Sequence, residues 1–154
     1  MKIKEFKFLK PGKLTDKDLA LVLKSTAPED KEKGYVPSYS FKMVNSKTRE
    51  EFGEISLRVG QTENTFYGGN IGYSVEEKFR GHHYAARACI LIFRLAKKHK
   101  MKKIFITCNP DNIASRRTCE LAGGKLIDIV KLPKYNDQYK RGERKKCIYG
   151  FDIK

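Results

Sequence analysis

At 154 residues, the chain is long enough for one domain to bury a hydrophobic core without disulfide or metal staples. Its 33 Lys and Arg against 18 Asp and Glu give a net charge of +15, while 40% apolar residues describe a globular rather than a disordered composition. The opening MKIKEFKFLKPG lacks a signal-peptide core and no stretch approaches the roughly 18 apolar residues of a membrane span, so a cytoplasmic location is expected.

The pattern predicts one domain over residues 1–154. A first strand is expected over Ile3 to Leu9, stopped by Pro11-Gly12. A helix should follow, with Thr15 as N-cap and Leu19, Leu21, Val22 and Leu23 as its apolar residues. Residues 25–37 read as charged and irregular. Ser38 to Val44 alternates, with Tyr39, Phe41 and Met43 on one face. Further strands are expected at Glu51 to Val59 and, after the loop GQTENTFYGG, at Asn70 to Val75.

The period then changes. From His83 to His99, the positions Tyr84, Ala88, Leu91 and Leu95 fall at helical spacing, widened by Ala85, Cys89, Ile92 and Ala96. Lys97, Lys98 and Lys100 crowd the C-terminal end, where cations suit the helix dipole. A short strand at Ile104 to Cys108 leads through Asn109-Pro110-Asp111 into a helix from Ile113 to Ala122, ended by Gly123-Gly124. Strands at Lys125 to Leu132 and Lys146 to Ile153 flank a polar loop. The order β-α-β-β-β-α-β-α-β-β is that of a mixed α/β (α+β) protein.

Cys89, Cys108, Cys119 and Cys147 sit inside apolar patterns, none at CxxC spacing, and His82, His83 and His99 form no ligand cluster with them. Buried reduced thiols and no metal site are expected. The positive charge favours polyanionic partners, a nucleotide cofactor, RNA or the ribosome among them. Its local concentrations, KKHKMKK at 97–103 and KRGERKK at 140–146, lack the interleaved aromatics of a single-strand stacking platform.

The segment GYSVEEKFRGHHYAARA, residues 72–88, places a strand, a charged loop and a helix in succession. The free N–H groups and macrodipole of that helix N-terminus suit a phosphate. Arg80 adds a charge at the entrance, and Gly81 lets the backbone approach a ligand closely. Neither a Walker sequence nor GxGxxG is present.

Arg80-Gly81-His82-His83-Tyr84-Ala85 resembles the pyrophosphate loop Q/R-x-x-G-x-G/A of the GNAT superfamily of N-acetyltransferases, with His83 in place of the middle glycine. Asn112-Ile113-Ala114-Ser115 followed by Glu120-Leu121-Ala122-Gly123 resembles that family's N-x-x-S-x-x-x-x-E-K-x-G segment, in the branch with the ribosomal-protein N-terminal acetyltransferases. Leu121 stands where that pattern has lysine. Local capping by Asn112 accounts for the same residues.

The resemblance implies a GNAT-like, mostly antiparallel central sheet of about seven strands flanked by helices, and acetyl-CoA as co-substrate. It implies cofactor contacts from Ser74, Val75, Arg80, Gly81, His82, His83, Tyr84, Ala85, Asn112 and Ser115, with a backbone N–H near Ser74 or Val75 polarising the thioester carbonyl. The strand ending at Val75 should part from the strand at 104–108, the cofactor arm lying in the gap. Many members carry an acidic tyrosine seven residues after the motif asparagine. Here that position is Cys119, and the role is not carried over; in the resembling branch a serine at the Ser115 position is sometimes given that task, which implies Ser115 as candidate acid. Glu54 and Glu76 are the candidate bases, and Tyr73 could line the amine pocket.

The expected activity is acetyl transfer to a primary amine: a protein N-terminus, an amino acid or a small amine. A homodimer is open. Two other readings remain, a basic nucleic-acid- or ribosome-binding α/β module and a GNAT that binds acyl-CoA without catalysing transfer.

Overall fold

The computed structural model describes residues 6–153, and within them the chain forms eight strands. Five build one antiparallel sheet in sequence order: β1 (Thr15–Asp16), β2 (Leu19–Ala27), β3 (Ser38–Asn45), β4 (Glu51–Arg58) and β5 (Ile71–Val75). The other three form a second antiparallel sheet, with β8 (Lys145–Asp152) between β6 (Lys103–Cys108) and β7 (Lys125–Lys131). The helices are α1 (Glu63–Gly68), α2 (Tyr84–Lys98), α3 (Ile113–Leu121) and α4 (Asp137–Lys140). No described helix is long and apolar enough to cross a membrane.

Alternation in β3 buries Tyr39, Phe41 and Met43 on one face, as the period-2 pattern predicts. The apolar stripe of α2 lies over that face, burying Leu91, Ile92 and Leu95 against β2, β4 and β5. The same core takes in Ile104, Ile106 and Tyr149 of the second sheet. All four cysteines are buried and unbridged. At the end of α3, Gly123 adopts φ 96° and Gly124 N–H returns to Cys119 C=O at 2.9 Å, so the glycine pair stops the helix as expected.

Three local expectations change. The helix expected after Thr15 is the strand β2. Lys17, at φ 54°, turns the chain tightly between β1 and β2, and β2 then pairs with β3 from Leu19↔Asn45 to Ala27↔Ser38. The open edge of β3 has backbone groups to satisfy, and that demand outweighs the weak helical spacing of four apolar residues. For the first strand, Ile3 to Glu5 lie outside the described residues, and Phe6 to Leu9 are not in a strand. The loop at 60–69 contains α1, where Thr62 and Thr65 form a reciprocal capping box built without a Glu or Gln.

The sheet of about seven strands is divided in two, and the division sets up the site. β5 pairs with β4 and β6 pairs with β8, with no ladder between β5 and β6. Asn70, fully buried, joins them instead. Its N–H donates to Phe105 C=O at 2.6 Å and its Oδ1 accepts from Phe105 N–H at 2.9 Å. Its Nδ2 donates to the carbonyls of Arg58 and Gly60, at 3.1 and 2.9 Å. Beyond that clasp the outer edge of β5 is free of ladder bonds.

Candidate functional site

Two hydrogen bonds decide which groups of β5 face the free edge. Arg58 N–H donates to Asn70 C=O, and Glu76 N–H to Phe52 C=O. With the register Ser56↔Gly72 and Glu54↔Ser74, the even-numbered residues of β5 are those bonded to β4. Tyr73 and Val75 therefore turn their N–H and C=O outward, away from β4. The Ser74 N–H faces Glu54. Of the two candidate backbone donors, Val75 is the one aimed at the gap. Its carbonyl accepts from Arg80 Nε at 3.1 Å, which folds the loop back over the strand end.

After β5, a single 3-10 turn at Glu77–Phe79 leads to Arg80 and then to two left-handed residues, Gly81 at φ 95° and His83 at φ 59°. His83 thus holds the glycine-like conformation that the family pattern assigns to glycine. Histidine is among the few residues that enter this region with some frequency. It is the N-cap of α2 and makes no side-chain cap bond, and the first intrahelical bond runs from Arg87 N–H to His83 C=O. The N–H groups of Tyr84, Ala85 and Ala86 are left without helical partners, beside the exposed Gly81, His82 and His83.

Tyr84 enters this site through its backbone. Its ring is buried and stacked on Phe52 with centroids 4.2 Å apart, and its hydroxyl donates to Asp18 Oδ2 at 2.6 Å. Arg87 bridges Asp16 and Asp18 at 2.8 and 2.7 Å. The Tyr84 hydroxyl, then Arg87, hold the Asp18 carboxyl below its ordinary range. The turn between β1 and β2 thereby anchors the start of α2. Arg87 is neutralised in that anchor, which leaves Arg80 and Lys78 as the loop's exposed cations.

Across the gap, Asn112 caps α3 by accepting from Ser115 N–H at 3.1 Å. The Ser115 hydroxyl meets the Tyr73 hydroxyl at 2.7 Å. A residue of the first sheet and a residue of the helix after β6 are thus joined directly. Burial, with Cys119 second, pushes the Tyr73 phenol well above its ordinary range, so it stays protonated. Cys119 lies within hydrogen-bonding reach of that phenol, fully buried, its thiol pushed up to about 12 by burial first. It is a neutral neighbour and no nucleophile.

The two candidate bases differ. Glu54 lies on the solvent-facing side of the sheet, opposite Ser74, and forms a 2.7 Å ion pair with Lys24 that holds its carboxyl below the usual range. Glu76 is exposed at the end of β5, next to Val75. Around Glu54, the register sets Ser25, Ser40, Ser56 and Gly72 in one row across four strands, a shallow polar floor. Arg58 stands at its side. Neither Arg58 nor Asn70 stood out in the sequence. Gly68-Gly69 was legible as the end of a loop and Asn70 only as the start of a strand, and an arginine at a strand end carries no signal of its own.

The acetyltransferase (GNAT) domain family matches residues 3–125. The fold is similar to a GNAT-family acetyltransferase from Bacillus anthracis, with 19% identity, a TM-score of 0.58 and coverage of 74% of this chain and 66% of that one. It is similar to a microcin self-immunity acetyltransferase in complex with acetyl-CoA and AMP, at 18% identity and TM-score 0.58, covering 75% of this chain and 61% of the other. A protein from Vibrio cholerae assigned as a ribosomal-protein-serine acetyltransferase gives 13% identity and TM-score 0.65, covering 94% of this chain and 99% of its own. The chain therefore spans just under two thirds of the first two relatives and nearly all of the third. At these identities the likeness concerns the fold. No curated protein matches the chain by sequence.

Proposed function

The chain belongs to the acetyltransferase (GNAT) domain family, and on that basis we propose that it is a single-domain, cytoplasmic enzyme that transfers the acetyl group of acetyl-CoA to a primary amine. The observation that carries this reading is the free edge of β5. It lies between the unpartnered N–H groups at the start of α2 and the Tyr73–Ser115 bridge.

Acetyl-CoA supplies the activated thioester. The residues present fit it: Arg80, Gly81, His82 and the N–H groups from Tyr84 onward suit a pyrophosphate. Asn112 and Ser115 border the gap where its thiol end would lie. Val75 N–H is the donor aimed where negative charge develops on a carbonyl oxygen. Ser115 is the candidate proton donor to the leaving sulfur. Tyr73, kept protonated by burial, stands behind it and holds the Ser115 hydroxyl in place. Glu76 is favoured over Glu54 as base, because the Lys24 pair lowers the basicity of Glu54. The acceptor is a protein N-terminus, an amino acid or a small amine.

A thermal-shift titration tests this with acetyl-CoA and CoA, beside an ATP control. A saturable rise with the CoA compounds alone is the expected outcome. The absence of any shift at millimolar acetyl-CoA in folded protein would remove the reading and favour a basic binding module.

A further inference from the structure

A second polar centre lies on the other side of β5. Arg58, the last residue of β4, is half-buried, and burial holds its guanidinium below the ordinary value. Its NH1 donates to two backbone carbonyls, Gly69 at 2.9 Å and Gly68 at 3.4 Å. Among the described residues no carboxylate comes within ion-pair distance of it. A guanidinium carries five donors, and an arginine taken partly out of water normally meets an anion. Here NH2 and Nε are unspent.

Arg58 lies between two cavities. The one of about 400 Å³ already holds the charges of Glu63, Asp137 and Arg141, and the Glu63 carboxylate accepts from Tyr135. The other, about 330 Å³, contains no acidic residue; Ala27, Pro28, Tyr35, Val36 and Ser38 line it with Arg58 as its charge. Its walls come from the loop after β2 and from α1, and Asn64 ties the two together through Lys33 C=O and Gly34 C=O at 3.1 and 3.0 Å. On its β5 side the guanidinium lies against Gly72, where NH2 is 3.4 Å from the position a Cβ would take.

Gly72 and Val75 are three residues apart on one strand, roughly 10 Å at 3.3 Å per residue. That length selects the ligand. The amine and carboxylate of a free α-amino acid are too close to reach Val75 and Arg58 together. In an extended peptide, the N-terminal amine and the side chain of the third residue are separated by about this distance. A net charge of +15 adds long-range attraction for acidic partners.

We propose that Arg58 and the acid-free cavity beside it form the specificity pocket for the acceptor, which is a peptide N-terminus carrying Asp or Glu at about its third residue. This rests on the acetyl-transfer reading above. Arg58 receives the acidic side chain in a forked pair on its Gly72 side, and the N-terminal amine reaches the gap beside Val75. Arg58 is a binding residue, distant from the reacting atoms.

The test compares two hexapeptides that differ only in Glu or Gln at the third position, acetylated by the full chain and followed by free-thiol release. The expected result is a preference for the Glu peptide of about tenfold in kcat/KM, carried by KM, as a desolvated charged pair gives. Arg58→Gln should abolish the preference, bringing kcat/KM for the Glu peptide down to that of the Gln peptide. If Arg58→Gln fails to fold, Ser38→Asp serves, because Ser38 pairs with Arg58 across β3 and β4 and would supply an internal carboxylate. It should erase the preference too. Equal rates for the two peptides, acetylation of neither, or a preference that survives both substitutions would overturn the pocket. The acetyl-CoA thermal shift, run on the same samples, separates the two ideas: without it, or with thiol release from neither peptide, the acetyl-transfer reading fails, and with both only the pocket is at stake.

Discussion

His83 shows how one side chain can depart from a motif while the backbone keeps it. The loop needs a left-handed residue before α2, and His83 supplies it at φ 59° with an exposed side chain. His83→Gly should therefore leave stability within about 1 kcal/mol, relief of strain being offset by the freedom of glycine in the unfolded chain. His83→Val should cost about 1–3 kcal/mol and weaken acetyl-CoA binding, because a β-branched residue resists that conformation. Thermal melts with and without acetyl-CoA check both. Tyr73 makes the complementary point. Its hydroxyl meets that of Ser115, on the helix that also carries Cys119 at the position of the tyrosine in the resembling pattern. If Ser115 donates the proton, Tyr73→Phe and Ser115→Ala should each lower kcat by about 10- to 100-fold with the acetyl-CoA shift retained. A loss confined to KM would remove Ser115 as the proton donor.

At the scale of elements, the two sheets are held by contacts that no strand pattern announces. Asn70 satisfies Phe105 N–H and the carbonyls of Arg58 and Gly60 from one buried side chain. Asn70→Ala would leave those groups unpaired away from water, and a loss of about 3 kcal/mol or more in urea unfolding is expected. A second tie fixes the far end of α2. Tyr39 accepts from Leu9 N–H at 2.7 Å and shares a hydrogen bond with His99 Nε2, also at 2.7 Å, and Phe6 stacks on the imidazole. Burial holds the His99 pKa below the ordinary histidine value. A folded pKa below the unfolded one means the unfolded chain binds the extra proton first. The stabilisation is present above about pH 6.5 and declines as pH falls below it. Melting temperature should drop over that window in the wild type, and His99→Gln should flatten the slope. These ties were invisible in the sequence for a common reason. Asn70 reaches Phe105 and Tyr39 reaches His99, each through one polar side chain to a residue distant in the chain, which leaves no period to read.

For the whole molecule, the charge is the property with the widest reach. At +15, association with an anionic acceptor peptide should slow as salt screens the field. The kcat/KM for the Glu hexapeptide is expected to fall several-fold between about 50 and 300 mM salt, and that for its Gln twin to fall less. A salt dependence equal for both peptides would assign the effect to acetyl-CoA rather than to the acceptor.

The sequence by itself determined the α2 stripe, the glycine stop of α3, the buried alternation of β3, the unbridged cysteines and the family. All of these depend on spacing within a few residues, or on motifs whose backbone roles survive substitution. Only the tertiary structure decided that residues 19–27 are a strand, because their conformation is set by the open edge of β3. It likewise decided that the sheet divides at Asn70, that Val75 rather than Ser74 faces the gap, and that Arg58 stands without an acid. Hydrogen-bond parity along a strand and the company of a half-buried charge are set by residues distant in the chain, and no local pattern encodes them.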